Sequence, residues 1–147
     1  RYYGDTTQGA GNVGTDGNHI VWTYGEGKAP GELLYPTRSI MAAEYTTDPL
    51  LLAPKRLRSD PSQDIGNSFV VGCGYAAHDG ATAKDTIIVR IADGVSWTLT
   101  GEQTNSWGNP IGITCDEIFL LVFIPPMLTP NIARVRLDSL GPGTLPD

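Results

Sequence analysis

The chain has 147 residues, with ten Lys and Arg against sixteen Asp and Glu, for a formal charge of -6. That length holds one domain with a real core, since a domain of this size buries roughly 70% of the surface its unfolded chain exposes. The acidic balance works against a nucleic-acid phosphate backbone or anionic lipid as partner, and the longest apolar run, Ile118 to Ile124, falls far short of the roughly 18 residues of a membrane-spanning helix.

Eighteen Gly and eleven Pro are spread along the chain and interrupt almost every window long enough for a three-turn helix. An all-β fold of short strands and turns is therefore expected. In chain order, the turn Thr15-Asp16-Gly17 precedes a strand from Asn18 to Tyr24, and the loop Gly25 to Gly31 follows. Strands are next expected at Ser39 to Thr46 and Lys55 to Ser59, joined through Thr47-Asp48-Pro49 and a leucine-rich link ending at Pro54. The one basic cluster, Lys55-Arg56-Arg58, reads as a solvated strand edge.

After the polar turn from Ser59 to Asp64 the order begins again. One strand is expected from Ser68 to Ala77, a loop from His78 to Lys84, and then a hairpin of Asp85 to Ala92 and Val95 to Thr100 around Asp93-Gly94. A third round runs through Gly112 to Thr114, Glu117 to Ile124, the proline-rich turn from Pro125 to Pro130, and Asn131 to Leu137. The repeats span roughly 11–60, 67–100 and 109–140, and 141–147 reads as a tail or linker.

The two cysteines fall at the same place in two copies of one pattern, Phe69-Val70-Val71-Gly72-Cys73 and Ile111-Gly112-Ile113-Thr114-Cys115. Their spacing fits the period of about 40 to 50 residues that four-stranded propeller blades give, which suggests neighbouring blades stapled by a disulfide. Two free buried thiols are the plainer alternative. A zinc site completed by His19 and His78 lacks the paired spacings of structural zinc. A second echo links Arg56-Leu57-Arg58-Ser59, Arg90-Ile91-Ala92-Asp93 and Arg136-Leu137-Asp138-Ser139.

At these residues the chain resembles secreted bacterial β-propeller proteins of the broad TolB-like type. The resemblance rests on the blade-start segment Thr15-Asp16-Gly17-Asn18-His19-Ile20-Val21-Trp22 and on the hairpin from Val89 to Trp97. It implies a partial propeller of about three blades, with a β-sandwich as the alternative fold. Trp-Asp dipeptides, the kelch glycine pair and a Ser-x-Asp-x-Gly-x-Thr-Trp box are absent, so no named subfamily is assigned. Three rounds do not close a ring of the usual four to eight blades, so the chain is expected either to be part of a larger propeller or to be completed by other chains or further copies. A secreted or cell-envelope location follows from the resemblance and from the oxidising compartment that a Cys73 to Cys115 bridge requires. The chain starts at Arg1 without a charged-then-apolar leader, which leaves two readings, a removed leader and a piece of a longer chain.

Candidate chemistry is sparse. His78 with Asp79 and Asp116 could serve a propeller hydrolase or lyase, but Gly-x-Ser-x-Gly is absent and adjacent side chains in an extended segment point to opposite faces. The acidic loops Asp60 to Asn67 and His78-Asp79-Gly80 could offer oxygens to calcium, without the register of the helix-loop-helix site. No other cofactor is indicated, because a Gly-rich phosphate loop is also missing. Among the aromatics, Trp107, Tyr24 and Tyr35 are the candidates to stack on a ligand such as a sugar, while Trp22 and Trp97 read as packing between blades. The leading expectation is a non-catalytic extracellular structural or binding module acting through protein-protein assembly contacts. The alternatives are the hydrolase or lyase and a carbohydrate-binding propeller.

Overall fold

A computed structural model describes residues 9–30, 35–61, 68–79, 85–100, 109–124 and 129–146. The fold is all-β, as the glycine and proline distribution requires. Its described strands form three antiparallel sheets. Sheet 1 is β1 (Gly9–Thr15), β2 (His19–Glu26), β3 (Thr37–Glu44) and β4 (Lys55–Pro61). Sheet 2 is β5 (Phe69–Gly72), β6 (Tyr75–Asp79), β7 (Asp85–Arg90) and β8 (Ser96–Thr100). Sheet 3 is β9 (Asn109–Ile113), β10 (Glu117–Ile124) and β11 (Thr129–Arg136). Each strand pairs with its sequence neighbour, so each sheet is a simple meander.

The sheets repeat down to single hydrogen bonds. Just past the third strand of each sheet, a backbone N–H donates 2.8 Å to a carbonyl in that sheet's first turn: Tyr45 to Asn18, Ile91 to Gly74, and Leu137 to Asp116. These donors recur at one interval, 46 residues from Tyr45 to Ile91 and again from Ile91 to Leu137. The same alignment makes Gly17, Cys73 and Cys115 equivalent. It also corrects the second sequence echo: Arg90-Ile91 and Arg136-Leu137 both close a third strand, whereas Arg56-Leu57 lies in the fourth strand of sheet 1.

Four points differ from the sequence expectations. The single strand expected from Ser68 to Ala77 is a hairpin, folded at Cys73-Gly74 with φ of 48° and 81°. Positive φ at both central residues is the geometry of the tight turn that matches strand twist, and it is unusual at a non-glycine position. His78, expected in a loop, lies in β6 and is 4% exposed. β1, preceding the first expected strand, was hidden by its glycine-rich composition, Gly-Ala-Gly-Asn-Val-Gly-Thr, which carries little β-propensity. The segment 141–146, expected as a tail or linker, lies along the edge of β8, where Thr144 and Ser96 exchange both backbone hydrogen bonds at 2.8 and 2.9 Å.

Alternation along the strands divides the core in two. Val21, Ile40, Ala42 and Leu57 of sheet 1 meet Ala76, Ile87, Val89 and Ile91, on or just beyond the strands of sheet 2. From the other face of sheet 2, Ala77 and Ile88 meet Ile118 and Leu120 of sheet 3, with Trp97, Leu99, Val122 and Val135 around them. The first strands lie side by side, β1 against β5 and β5 against β9. That approach is close enough that a Cβ at Gly72 would sit 2.7 Å from the Ile113 carbonyl oxygen, so Gly72 is required where backbones meet.

Candidate functional surfaces

Three places gather the chemistry of the chain: the rim formed by the first turns, the polar seam between sheets 1 and 2, and the two outward sheet faces.

At the rim, each first turn is tied to the next. Cys73 and Cys115 form a disulfide with Cα atoms 5.0 Å apart, joining the first turns of sheets 2 and 3. Both thiols are consumed, so neither is free nor a zinc ligand. Sheet 1 has Gly17 at the equivalent position and is tied differently. The Asp16 carboxylate accepts from the Gly74 N–H at 2.9 Å, and also from the N–H groups of Asn18 at 3.0 Å and His19 at 2.8 Å. His19 Nδ1 lies 3.2 Å from Asp16 Oδ2. Burial works to raise the Asp16 pKa, but the backbone donors of His19, Asn18 and Gly74, together with the His19 ring, outweigh it and hold the carboxyl below its ordinary value. Its contribution is therefore present above the usual carboxylate pKa and fades as pH falls through its lowered value. Asp16→Ala should cost about 2 kcal/mol in urea unfolding at neutral pH, because it removes the acceptor of the part-buried His19 and Gly74 N–H groups as well as the exposed Asn18 N–H, with a smaller difference at acid pH. A neutral-pH loss of only a few tenths would show that this tie is dispensable.

The seam holds His78 and Asp79 of β6 with Arg38 of β3 and Arg58 and Asp60 of β4. Arg58 grips Asp60 through Nε and Nη2 at 2.6 and 2.7 Å, and its Nη1 donates to Ser96 Oγ on sheet 2. The basic cluster is thus split in use: Arg58 bridges two sheets, Arg56 pairs with Glu26, and Lys55 donates to the Ala92 carbonyl at 3.0 Å. His78 Nδ1 lies 2.6 Å from the Asp79 carbonyl oxygen, which makes Nδ1–H the donor and leaves Nε2 as a bare acceptor. Burial lowers the His78 pKa to about 4, against the favourable Asp79 carbonyl and Asp60 charge. Burial likewise lowers Arg38 to about 10 and raises Asp79. Among the described residues, Thr23 Oγ1, Arg38 Nη1, His78 Nε2 and Asp79 Oδ1 are buried without a hydrogen-bond partner.

The seam does not assemble the hydrolase grouping. Asp116 sits in the rim beside Cys115, while His78 lies three residues along β6 from Tyr75 at the rim end, roughly 10 Å away at the rise of a strand. Nor are the calcium readings developed: Asp60 is engaged by Arg58, residues 62–67 and Gly80 lie outside the described residues, and no three His, Cys, Asp or Glu side chains among those described are grouped to hold a metal.

The aromatic candidates separate as well. A Cβ at Gly25 would strike the Tyr35 ring, so Tyr35 covers the face toward which Gly25 points; Tyr24, its neighbour in β2, points to the other face. Trp107 lies outside the described residues. Trp97 packs against Tyr75 at a centroid distance of 6.3 Å, under the Arg90 guanidinium at 5.5 Å, and donates to the Gly141 carbonyl.

The two outward faces are defined by strand register, which joins the alternating residues of neighbouring strands. On sheet 1, Val13, Ile20, Trp22, Met41 and Ala43 share the face opposite Val21 and Ala42. On sheet 3, Phe119, Leu121 and Ile132 share the face opposite Ile118 and Leu120, with Arg134 stacked 5.8 Å over Phe119 and paired to Glu117 at 2.6 Å. Val13 is 69% and Ile132 61% exposed, Ile20, Trp22, Met41, Phe119 and Leu121 are half-buried and Ala43 is buried, and among the described residues none of these side chains belongs to either inter-sheet core. No protein-family model matches the chain, and neither a curated protein nor a solved structure matches it.

Proposed function

We propose that the chain is a non-catalytic structural and binding module, a three-blade portion of a β-propeller, that acts by assembling through its two outward sheet faces. The observation that carries this reading is the pair of apolar faces, Ile20, Trp22 and Met41 at one end and Phe119, Leu121 and Ile132 at the other. Isolated surface apolar residues are ordinary, but contiguous apolar sheet faces mark interaction sites. Support for blades comes from three meanders with matching hydrogen bonds, first strands side by side, and tied first turns. The disulfide is compatible with a secreted or envelope location.

The test is association together with binding of a hydrophobic dye. The chain should either assemble or, when held monomeric by dilution, bind anilinonaphthalene sulfonate strongly. Trp22→Glu with Leu121→Glu should abolish both while the far-ultraviolet spectrum is retained. A monomer that binds no dye contradicts the reading.

A further inference from the structure

We infer that the occupant of both outward faces is a second copy of this chain, docked head to tail, so that sheet 3 of each copy packs on sheet 1 of the other. The inference rests on the proposed assembly function and names its partner. Within the chain, one sheet face packs on the opposite kind of face of the next sheet twice, at the sheet 1 to sheet 2 seam and at the sheet 2 to sheet 3 seam. Among the described residues, one face of each kind has no mate: the half-buried sheet 1 face that would receive a preceding sheet, and the sheet 3 face that would receive a following one. A second copy supplies the missing mate to both at once and leaves neither of these two faces over. A partner meeting only one face leaves the other in water.

The area points the same way. Strands of eight residues in β10 and β11, with β9 beside them, make a face of roughly 14 by 26 Å, or about 370 Å² in projection. A single contact between two such faces covers roughly 700 Å², the size of a lattice contact, whereas two copies meeting twice cover roughly 1,500 Å², within the range of stable interfaces. Two copies of the three described sheets give six, inside the span of roughly four to eight that closed rings use. The symmetry is two-fold, so one kind of contact is made twice and closes.

The test uses two single-cysteine additions on the full chain with its native disulfide intact, Leu121→Cys on the sheet 3 face and Met41→Cys on the sheet 1 face, mixed in equal amounts and treated with a short bis-maleimide. The expected product is the mixed 121-to-41 dimer, at least tenfold over either like pair, from a particle of two copies. Like pairs alone, or a single-chain mass, overturn the second-copy inference. The assembly reading is judged separately: a single-chain particle that still binds dye, with binding lost on Trp22→Glu and Leu121→Glu, leaves the faces as docking surfaces for another protein, whereas a single-chain particle without dye binding removes that reading too.

Discussion

Replacing both Cys73 and Cys115 by serine is expected to lower the unfolding free energy by about 4 kcal/mol, the chain-entropy value for a closed loop of 42 residues. Beyond the strands of sheets 2 and 3, the bridge is the covalent tie between their first turns, and the sheet 1 tie through Asp16 and Gly74 meets it at the same hairpin. Loss of the bridge should therefore loosen sheet 3 first. Amides of β9, which borders β5, should lose hydrogen-exchange protection more than those of β2 and β3, and dithiothreitol on the unaltered protein should reproduce the shift in urea midpoint. A loss below 1 kcal/mol, or uniform loss of protection, would show that the rim does not organise the sheets. The serine at position 73 inherits a φ of 48°, so part of the cost reflects a left-handed residue no longer held by its bond.

Acidification supplies the second large effect. His78 is neutral in the fold down to about pH 4, because burial between the sheets disfavours its cation, while in the unfolded chain it takes a proton near 6.5. Between those values the unfolded state binds the extra proton. Stability is therefore full above pH 6.5 and falls as pH drops toward 4, by roughly 3 kcal/mol in all. The charged groups around the ring are Arg38, Arg58, Asp60 and Asp79; burial raises Asp79, whose protonation in the fold works in the opposite direction at the acid end of the window. His78→Asn keeps a donor for the Asp79 carbonyl and removes the titration, so its urea stability should be flat from pH 6.5 to about 4.5. A variant as steep as the parent would place the acid sensitivity elsewhere.

Much of the architecture was legible because alternation and turn residues are local. The hairpin around Asp93-Gly94, the strand from Glu117, and the equivalence of the two cysteines follow from short-range patterns, and the structure has them. What failed to show did so for physical reasons. Cys73 occupies a turn position that ordinarily calls for Asn, Asp or Gly, so a hairpin read as one continuous apolar strand. β1 is held by pairing with β2 and by lying against β5, contacts its glycines permit and its composition does not announce. His78 follows Ala76-Ala77, and only the Arg58 and Arg38 side chains from another sheet make its surroundings a buried polar seam. Of the candidate surfaces, the disulfide was readable from repeat position. The outward faces required the register between strands, because only pairing shows that Trp22 and Met41, or Phe119 and Arg134, share a side.

Sedimentation equilibrium of the unmodified chain at micromolar concentration shows whether those two faces are covered by a like molecule. The expected particle has twice the chain mass of 15.7 kDa and falls to one chain on Leu121→Glu. A stable particle of one chain, unchanged by that substitution, would contradict such coverage.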